Sequence, residues 1–456
     1  MSVSLKNIYA EKAIAQIPRL LTCLDRNRFS PTYGCFHRDY WLYKTSDFPD
    51  AVRQFGVHAL ALVYKFDFPG NVYKGHQKMK EWTIAAMDYW TQIQHGEGSF
   101  DEFYPYERGW VGPTAFTTYT IVESLRLLID EMDPEVVNKV KIAVKKAAYF
   151  IMKGETEEDH LANHHAMACL ALWKSYVLLE DENIKAGYEK AFTTFLTYHY
   201  EDEGWSREYD GVDPGYLSAT VSFLGKVYQD NKDAKILKVL KESVDFSQYF
   251  VYPNGYYAGS TGSRNTLHFY PHGYEILGKD IPLAGAIAKK MKKGLAENKL
   301  VPPEIMSDRY LFYRVPEFLL SYIDCDEENH KDDILKWEKG DFSDYFERSR
   351  VFVKTGGKYY LIVNFAKGGV VKLFNRESGE LLVNDCGIVG LTNEGKTLTS
   401  QWVDKDYKVE IKDNIFTVSG TMNVVPSQKL FSLFKNLLFR GTLLLLGWNP
   451  SFAHYL

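Results

Sequence analysis

The sequence predicts a multidomain protein, α then β: a large array of helical hairpins followed by a smaller antiparallel β domain. Three observations predict it. The chain has 456 residues, more than one core usually organises. Apolar residues recur at the helical period through most of the first 325 residues, whereas "RVFVKTGGKYYLIVNFAKGGVVKLFN" is a set of short β-rich runs broken by Gly and Asn. Between the two regimes lies a charged stretch, "DCDEENHKDDILKWEKGD". The expected division is a helical domain over 1–325, a charged linker over 326–349 and a short antiparallel sandwich over 350–456.

The helices announce themselves by caps and stripes. In "DPEVVNKVKIAVKKAAYFIMKG", Asp133 can cap, Pro134 takes the first helical position and Gly154 can end the helix. Val136, Val137, Val140, Val144, Ala148 and Ile151 keep the apolar stripe between them. Similar stripes run over 51–66, 74–94, 114–131, 162–180, 184–199, 214–230, 233–248 and 281–297. Short connections make neighbours antiparallel hairpins, and a series of hairpins can close into a ring or horseshoe. Near the other end, "LFSLFKNLLFRGTLLLLGW" is apolar but interrupted by Lys435 and Arg440. A membrane span needs about 20 mostly apolar residues, so this segment reads as a buried strand or amphipathic piece. A peripheral membrane contact is the lesser reading.

The bulk chemistry narrows the function. A formal net charge of -5 argues against non-specific nucleic-acid binding, which needs a Lys/Arg excess. Aromatics make up 15% of the chain, with 32 Tyr and 9 Trp, as suits a sugar-binding cleft and equally a plain core. Cys23, Cys35, Cys169, Cys325 and Cys386 form no CxxC pair, so neither a disulfide framework nor a zinc site is expected. The start, "MSVSLKNIYAEKAIAQIPRLL", has no leader pattern, which makes a cytoplasmic setting the default. No phosphate-binding glycine loop, nucleophile elbow or HExxH occurs, and no cofactor or metal is expected.

Long loops interrupt the helical rhythm at 98–116, 200–216 and 249–275. Loops of that length between packed helices are usually functional or disordered, and these are too aromatic for disorder. Tyr104 and Trp205, in the first two, are expected to touch substrate. A further signal is "LANHHAMACLALW" (161–173), which puts Asn163, His164 and His165 at the mouth of an apolar helix. Capping and packing would explain them, as would an anion-binding site.

Three segments carry a resemblance: Asn163-His164 opening a helix, "EYDGVDPGYLS" with Tyr216 opening a later one, and the loop "GSRNTLHFYPHGYE" with Arg264, His268 and His272. In this order, on this architecture, they resemble the heparinase II/III and alginate-lyase superfamily. That resemblance implies an (α/α) toroid, here an incomplete one, followed by an antiparallel β-sandwich. It implies β-elimination on a uronic-acid polysaccharide: a base removes the C5 proton and the C4 substituent leaves. The uronate carboxylate must be neutralised so that the enolate-like charge is stabilised. By analogy Asn163 and His164 hold that carboxylate, with helix N-terminal N–H groups adding favourable potential. Tyr216 moves protons, as base if cations depress its pKa or as acid to the leaving oxygen. Arg264, with its two-pronged fork, is the first choice among the loop residues for carboxylate binding, while His268, His272 and His165 are further members of the expected site.

One departure bears on this. Members of that superfamily often take a catalytic histidine from the β domain, and after residue 330 only His454 is present. His268 or His272 would have to fill the role. The rival readings are a uronyl C5-epimerase, a non-catalytic glycan-binding or assembly protein, and a glycoside hydrolase. The last requires two carboxylates flanking the bond, to be drawn from Asp101, Glu102, Glu107, Asp202, Glu203 and Asp210. The oligomeric state is open.

Overall fold

In a computed structural model, the described residues are 4–106, 110–154, 161–327, 333–404, 406–412, 415–426, 431–447, 449 and 452. Helices α1 (Asn7–Ile14), α2 (Ile17–Cys23), α3 (Gly56–Lys65), α4 (Gln77–Gln92), α5 (Gly112–Leu128), α6 (Pro134–Gly154), α7 (Ala162–Leu179), α8 (Glu182–Leu196), α9 (Pro214–Asn231), α10 (Ala234–Ser247), α11 (His272–Leu277), α12 (Pro282–Ala296) and α13 (Asp308–Asp324) build the first part. They alternate between two layers. Each of α3, α5, α7, α9, α11 and α13 packs against the next, and α13 packs back against α3, so the inner ring closes. Outside it, α4, α6, α8, α10 and α12 each pair with the inner helix they adjoin in sequence, and α1 covers α13.

The patterned helices fall where the stripes predict them, within a few residues. Two elements beyond the predicted set, α11 and α13, complete a ring that the sequence left incomplete. Inner helices are buried on more than one side, so they lack a clean polar face. In α9, for example, all twelve consecutive positions from Leu217 to Tyr228 are buried. Close approach at the seam is met by glycine. A methyl group on Gly273 of α11 would lie 2.6 Å from Ser222 Cα and from the Val221 carbonyl oxygen of α9. Gly273→Ala should therefore destabilise the ring by about 1–3 kcal/mol through overpacking, measured as a lowered midpoint in urea with an unchanged slope.

The axis of the ring is filled by a buried polar cluster. Lys226 Nζ lies 2.9 Å from Glu317 Oε2, the Ser222 hydroxyl donates to Glu317 Oε1 (2.7 Å), and the His272 backbone N–H donates to the same oxygen (3.1 Å). His272 Nε2 is 2.6 Å from Asp324 Oδ2. These bonds satisfy charges that the closed ring removes from water.

After α13 the chain crosses to an antiparallel sheet of five strands in sequence order: β1 (Phe342–Phe346), β2 (Val351–Gly356), β3 (Tyr359–Asn364), β4 (Val370–Asn375) and β5 (Leu381–Asp385). The first strand lies inside the stretch read as linker, because alternation in "FSDYF" was masked by the flanking charges. Further strands follow: β6 (Val389–Leu391), β7 (Thr397–Thr399), β8 (Lys408–Lys412), β9 (Ile415–Ser419) and β10 (Asn423–Val424). The β8–β9 hairpin lays Phe416, Val409 and Val418 over Phe352, Val363 and Phe365, forming the second layer. The C-terminal apolar segment is neither a strand nor buried. It is helix α14 (Leu433–Leu446), with only Leu443 buried and with Leu433, Phe434, Leu437, Leu438 and Leu445 exposed. Among the described residues no helix is long and apolar enough to cross a membrane.

The sheet is bolted to the ring. Trp337 Nε1 donates to the Val251 carbonyl (3.0 Å) and the Tyr249 hydroxyl donates to Asp344 Oδ2 (2.8 Å). Buried Lys367 donates to the carbonyls of Ser260 and Gly262 (2.8 Å each) and to Asn265 Oδ1 (2.6 Å). Those acceptors flank Arg264, so the β domain braces the loop that carries it.

Candidate functional site

A cleft of about 370 Å³ opens at the end of the ring where the inner helices begin. Phe116 comes from the start of α5, Asn163 and His164 from the first turn of α7, and Tyr216 from the first turn of α9. Arg309, Tyr310 and Tyr313 come from the start of α13, and Arg264 from the loop before α11. The positive ends of several helices thus face one space, a favourable potential for an anion.

The local chemistry of each start explains its geometry. Asp213 caps α9, its Oδ1 accepting the Tyr216 N–H at 3.2 Å, with Pro214 at the first position. Its other oxygen accepts the Arg264 N–H at 2.9 Å, so one buried carboxylate fixes both Tyr216 and Arg264. A Cβ on Gly215 would strike the Thr266 side chain, which accounts for the glycine in "DPGY". On α7, the backbone N–H and side-chain Nδ2 of Asn163 donate to Glu208 Oε1 (2.6 Å) and Oε2 (2.8 Å). This clamp leaves the second hydrogen of the amide for a ligand. The His164 ring meets the Phe116 ring edge-on, 5.5 Å between centroids. The Arg264 guanidinium lies 4.1 Å above the centre of the Tyr209 ring. Trp110 Nε1, also lining the cleft, is a buried donor with no hydrogen-bond partner among the described residues.

Electrostatics differ from expectation at Tyr216. Burial first, then the neighbouring Tyr209, Tyr310, Tyr270 and Glu208, pushes its phenol well above the ordinary value. The expected depression by cations does not occur, and Tyr216 is a neutral phenol in the free cleft. Burial also raises Glu102 to about 7, against the lowering pull of Arg309, which it contacts. Glu208 is raised from 4.5 to about 8, burial outweighing its two bonds from Asn163. A raised carboxyl favours the folded state most below its unfolded pKa, and that contribution is lost as pH rises through the folded value. Between pH 4.5 and 8, then, the wild-type melting temperature should fall relative to that of Glu208→Gln. Parallel thermal melts across that window would count against burial as the controlling force.

Of the residues expected at the site, the structure brings Asn163, His164, Tyr216 and Arg264 to one cleft. His268 lines an adjoining cavity of about 510 Å³ that shares Tyr216, Arg264 and Tyr310 with the cleft, its ring against Tyr310. Four expectations are corrected. His165 is fully buried and stacks on Tyr198, because one helical residue turns it about 100° away from His164. His272 belongs to the buried axial cluster with Asp324 and Glu317. Tyr104 lies against Gly447 at the end of α14. Trp205 is buried, donates to Glu203 Oε2 (2.7 Å) and lines a different cavity. His454 and Glu107 lie outside the described residues. Of the carboxylates considered for hydrolysis, Glu102 is the one lining the cleft among the described residues. Asp101 pairs with His95, Asp202 with Arg348, Glu203 binds backbone N–H groups, and Asp210 lines the other cavity.

Sequence reasoning missed Glu208, Tyr209, Arg309, Tyr310 and Tyr313. The first two open the segment "EYDGVDPGYLS" itself, and only folding shows that Glu208 turns inward to Asn163. The others belong to α13, which carries Pro316 in its interior and gives no simple stripe.

Comparison with known proteins agrees with this architecture. Residues 63–271, the segment holding Asn163, His164, Tyr216, Arg264 and His268, match the family model described as the ulvan lyase N-terminal domain. Among solved structures, a xanthan lyase from Paenibacillus superposes with a TM-score of 0.54 at 9% identity, over 86% of this chain and 42% of that one. The chondroitin AC lyase of Streptomyces coelicolor A3, solved with chondroitin sulphate, gives 0.50 at 11% identity, over 82% of this chain and 54% of that one. No curated protein matches the chain. The fold is that of the (α/α)-toroid polysaccharide lyases, the architecture expected from the Asn-His and Asp-Pro-Gly-Tyr segments. The chain spans about half the length of the solved lyases it resembles.

Proposed function

We propose that this protein cleaves a uronate-containing acidic polysaccharide by β-elimination. The observation that carries the reading is the convergence of Asn163, His164, Tyr216 and Arg264 on one cleft over the starts of the inner helices. Arg264 and the free amide hydrogen of Asn163 hold the uronate carboxylate, so that negative charge developing at C5 spreads into a neutralised group. Tyr216, a phenol in the free cleft, is ready to protonate the departing C4 oxygen. The C5 proton then needs a separate acceptor. An imidazole, ordinarily half neutral near pH 6.5, is suited to that task, and we assign it to His164. The rings of Tyr209, Tyr310 and Tyr313 offer apolar surface and hydroxyls to the flanking sugars.

Ulvan, xanthan and chondroitin sulphate, the substrates in the names of the matched proteins, are the first panel to try. Mass spectrometry of oligosaccharides incubated with the protein in heavy water reads the reaction directly. Shorter products with an unsaturated terminal sugar are expected. Products that have gained water would replace the reading with hydrolysis, and unchanged length with deuterium at C5 would replace it with epimerisation.

A further inference from the structure

A second cavity, of about 280 Å³, lies between the ring and the sheet, on the far side of the loop that carries Glu208 and Tyr209. Tyr209 lines the cleft, whereas Arg207, Asp210, Gly211 and Val212 line this second space, so the loop is a wall common to both. The sheet contributes Arg348, Ser349, Arg350 and Asn364. The walls are held rigidly: Glu203 accepts the backbone N–H groups of Arg348 (2.5 Å) and Ser349 (3.0 Å), and Arg350 Nη1 donates to the Tyr407 carbonyl (2.9 Å).

Two buried polar atoms here have no partner among the described residues. Asn364 is 1% exposed and its Nδ2 donates to the Thr261 carbonyl (2.7 Å), which leaves Oδ1 without a donor. Ser349 is 4% exposed and its hydroxyl is likewise unpaired. Buried polar groups are seldom left unsatisfied, and those that are call for a ligand or water. An acceptor amide oxygen and a hydroxyl ask for a ligand bearing hydroxyl groups. Beside them, among the described residues, Arg207 donates through Nε to the Tyr209 carbonyl (3.3 Å). Arg348 pairs with Asp202 in the open, where such a pair is weak and easily exchanged. Of the two acidic members of the wall, Asp210 and Asp404, the latter is turned to its own loop, accepting from the Asp406 N–H (2.9 Å) and from Asn423 (3.2 Å).

We propose that this cavity is a second saccharide site, separate from the cleft, that takes one uronate unit of an acidic glycan. The carboxylate meets the guanidinium groups of Arg207 and Arg348, and ring hydroxyls satisfy Asn364 Oδ1 and Ser349 Oγ. The assignment does not depend on elimination chemistry, because it rests on a different set of side chains. Through the common loop, a bound glycan would press on the segment that orients Asn163.

Isothermal titration with D-glucuronate, and with D-glucose as the neutral control, tests it on the whole chain. Wild type should bind glucuronate saturably, and more weakly as salt rises. Arg264→Ala, which leaves every residue lining this cavity in place, should keep that binding. Arg207→Gln and Arg348→Gln should each weaken it by about tenfold, the expected cost of one charge-assisted contact. Both are surface substitutions whose folding is checked by an unchanged melting temperature. The proposal is overturned if glucuronate fails to bind wild type, or if both arginine variants bind it like wild type. It is also overturned if Arg264→Ala alone abolishes binding. A failure of the elimination reading would instead show in the oligosaccharide products, with this titration unchanged.

Discussion

Tyr216→Phe should lower the rate of chain cleavage by ~10³-fold while leaving substrate binding nearly intact, the size expected for loss of a positioned proton donor. The phenol is buried in the cleft beside Tyr209, Tyr270 and Tyr310, and burial holds it protonated. Phe keeps the ring and removes the hydroxyl that carries the proton. The same variant separates the two proton transfers. If His164 takes the C5 proton, Tyr216→Phe will still exchange hydrogen for deuterium at C5 in heavy water, without expelling the C4 group. Loss of exchange along with cleavage would make Tyr216 the base as well, and the assignment of His164 would be dropped. Steady-state kinetics with NMR of the recovered oligosaccharide gives both readings.

Asn163→Ala should cost ~10²–10³ in kcat, the range for removing one preorganised donor from a developing anion. It should also lower stability, because Glu208 Oε2 loses the Asn163 Nδ2 donor while Oε1 keeps only the backbone N–H. An unsatisfied buried group costs about 1–3 kcal/mol. The two effects come apart in the pair Asn163→Ala with Glu208→Leu. Removing both partners should restore much of the melting temperature and none of the activity. Recovery of activity in that double variant would show that Asn163 acts only as a scaffold.

Much of the site was readable before folding. Asn163-His164 and Asp213-Pro214-Gly215-Tyr216 are helix starts with local signatures: a capping side chain and a proline at the first turn for the second, and the apolar run that follows for the first. Those segments needed no tertiary information to be placed at helix mouths. What they could not say is which way a mouth residue faces. His164 and His165 are adjacent, yet one lines the cleft and the other stacks on Tyr198. His272 had the same local character as His268, but it opens the short helix α11 inside the axial cluster.

Through its resemblance to the lyase superfamily the sequence nominated the site residues, four of which meet in the cleft; by itself it determined the order of α then β and the bounds of the amphipathic helices. These follow from periodicity and capping, which act over a few residues. Only the tertiary structure decided that the ring closes, that α13 supplies Arg309, Tyr310 and Tyr313, and that Glu208 turns inward to clamp Asn163. Only it decided that Tyr216 is a phenol whose proton is held by burial. The reason is physical: desolvation, and pairing between residues 45 positions apart such as Asn163 and Glu208, depend on which surfaces meet. No local pattern in the chain encodes that.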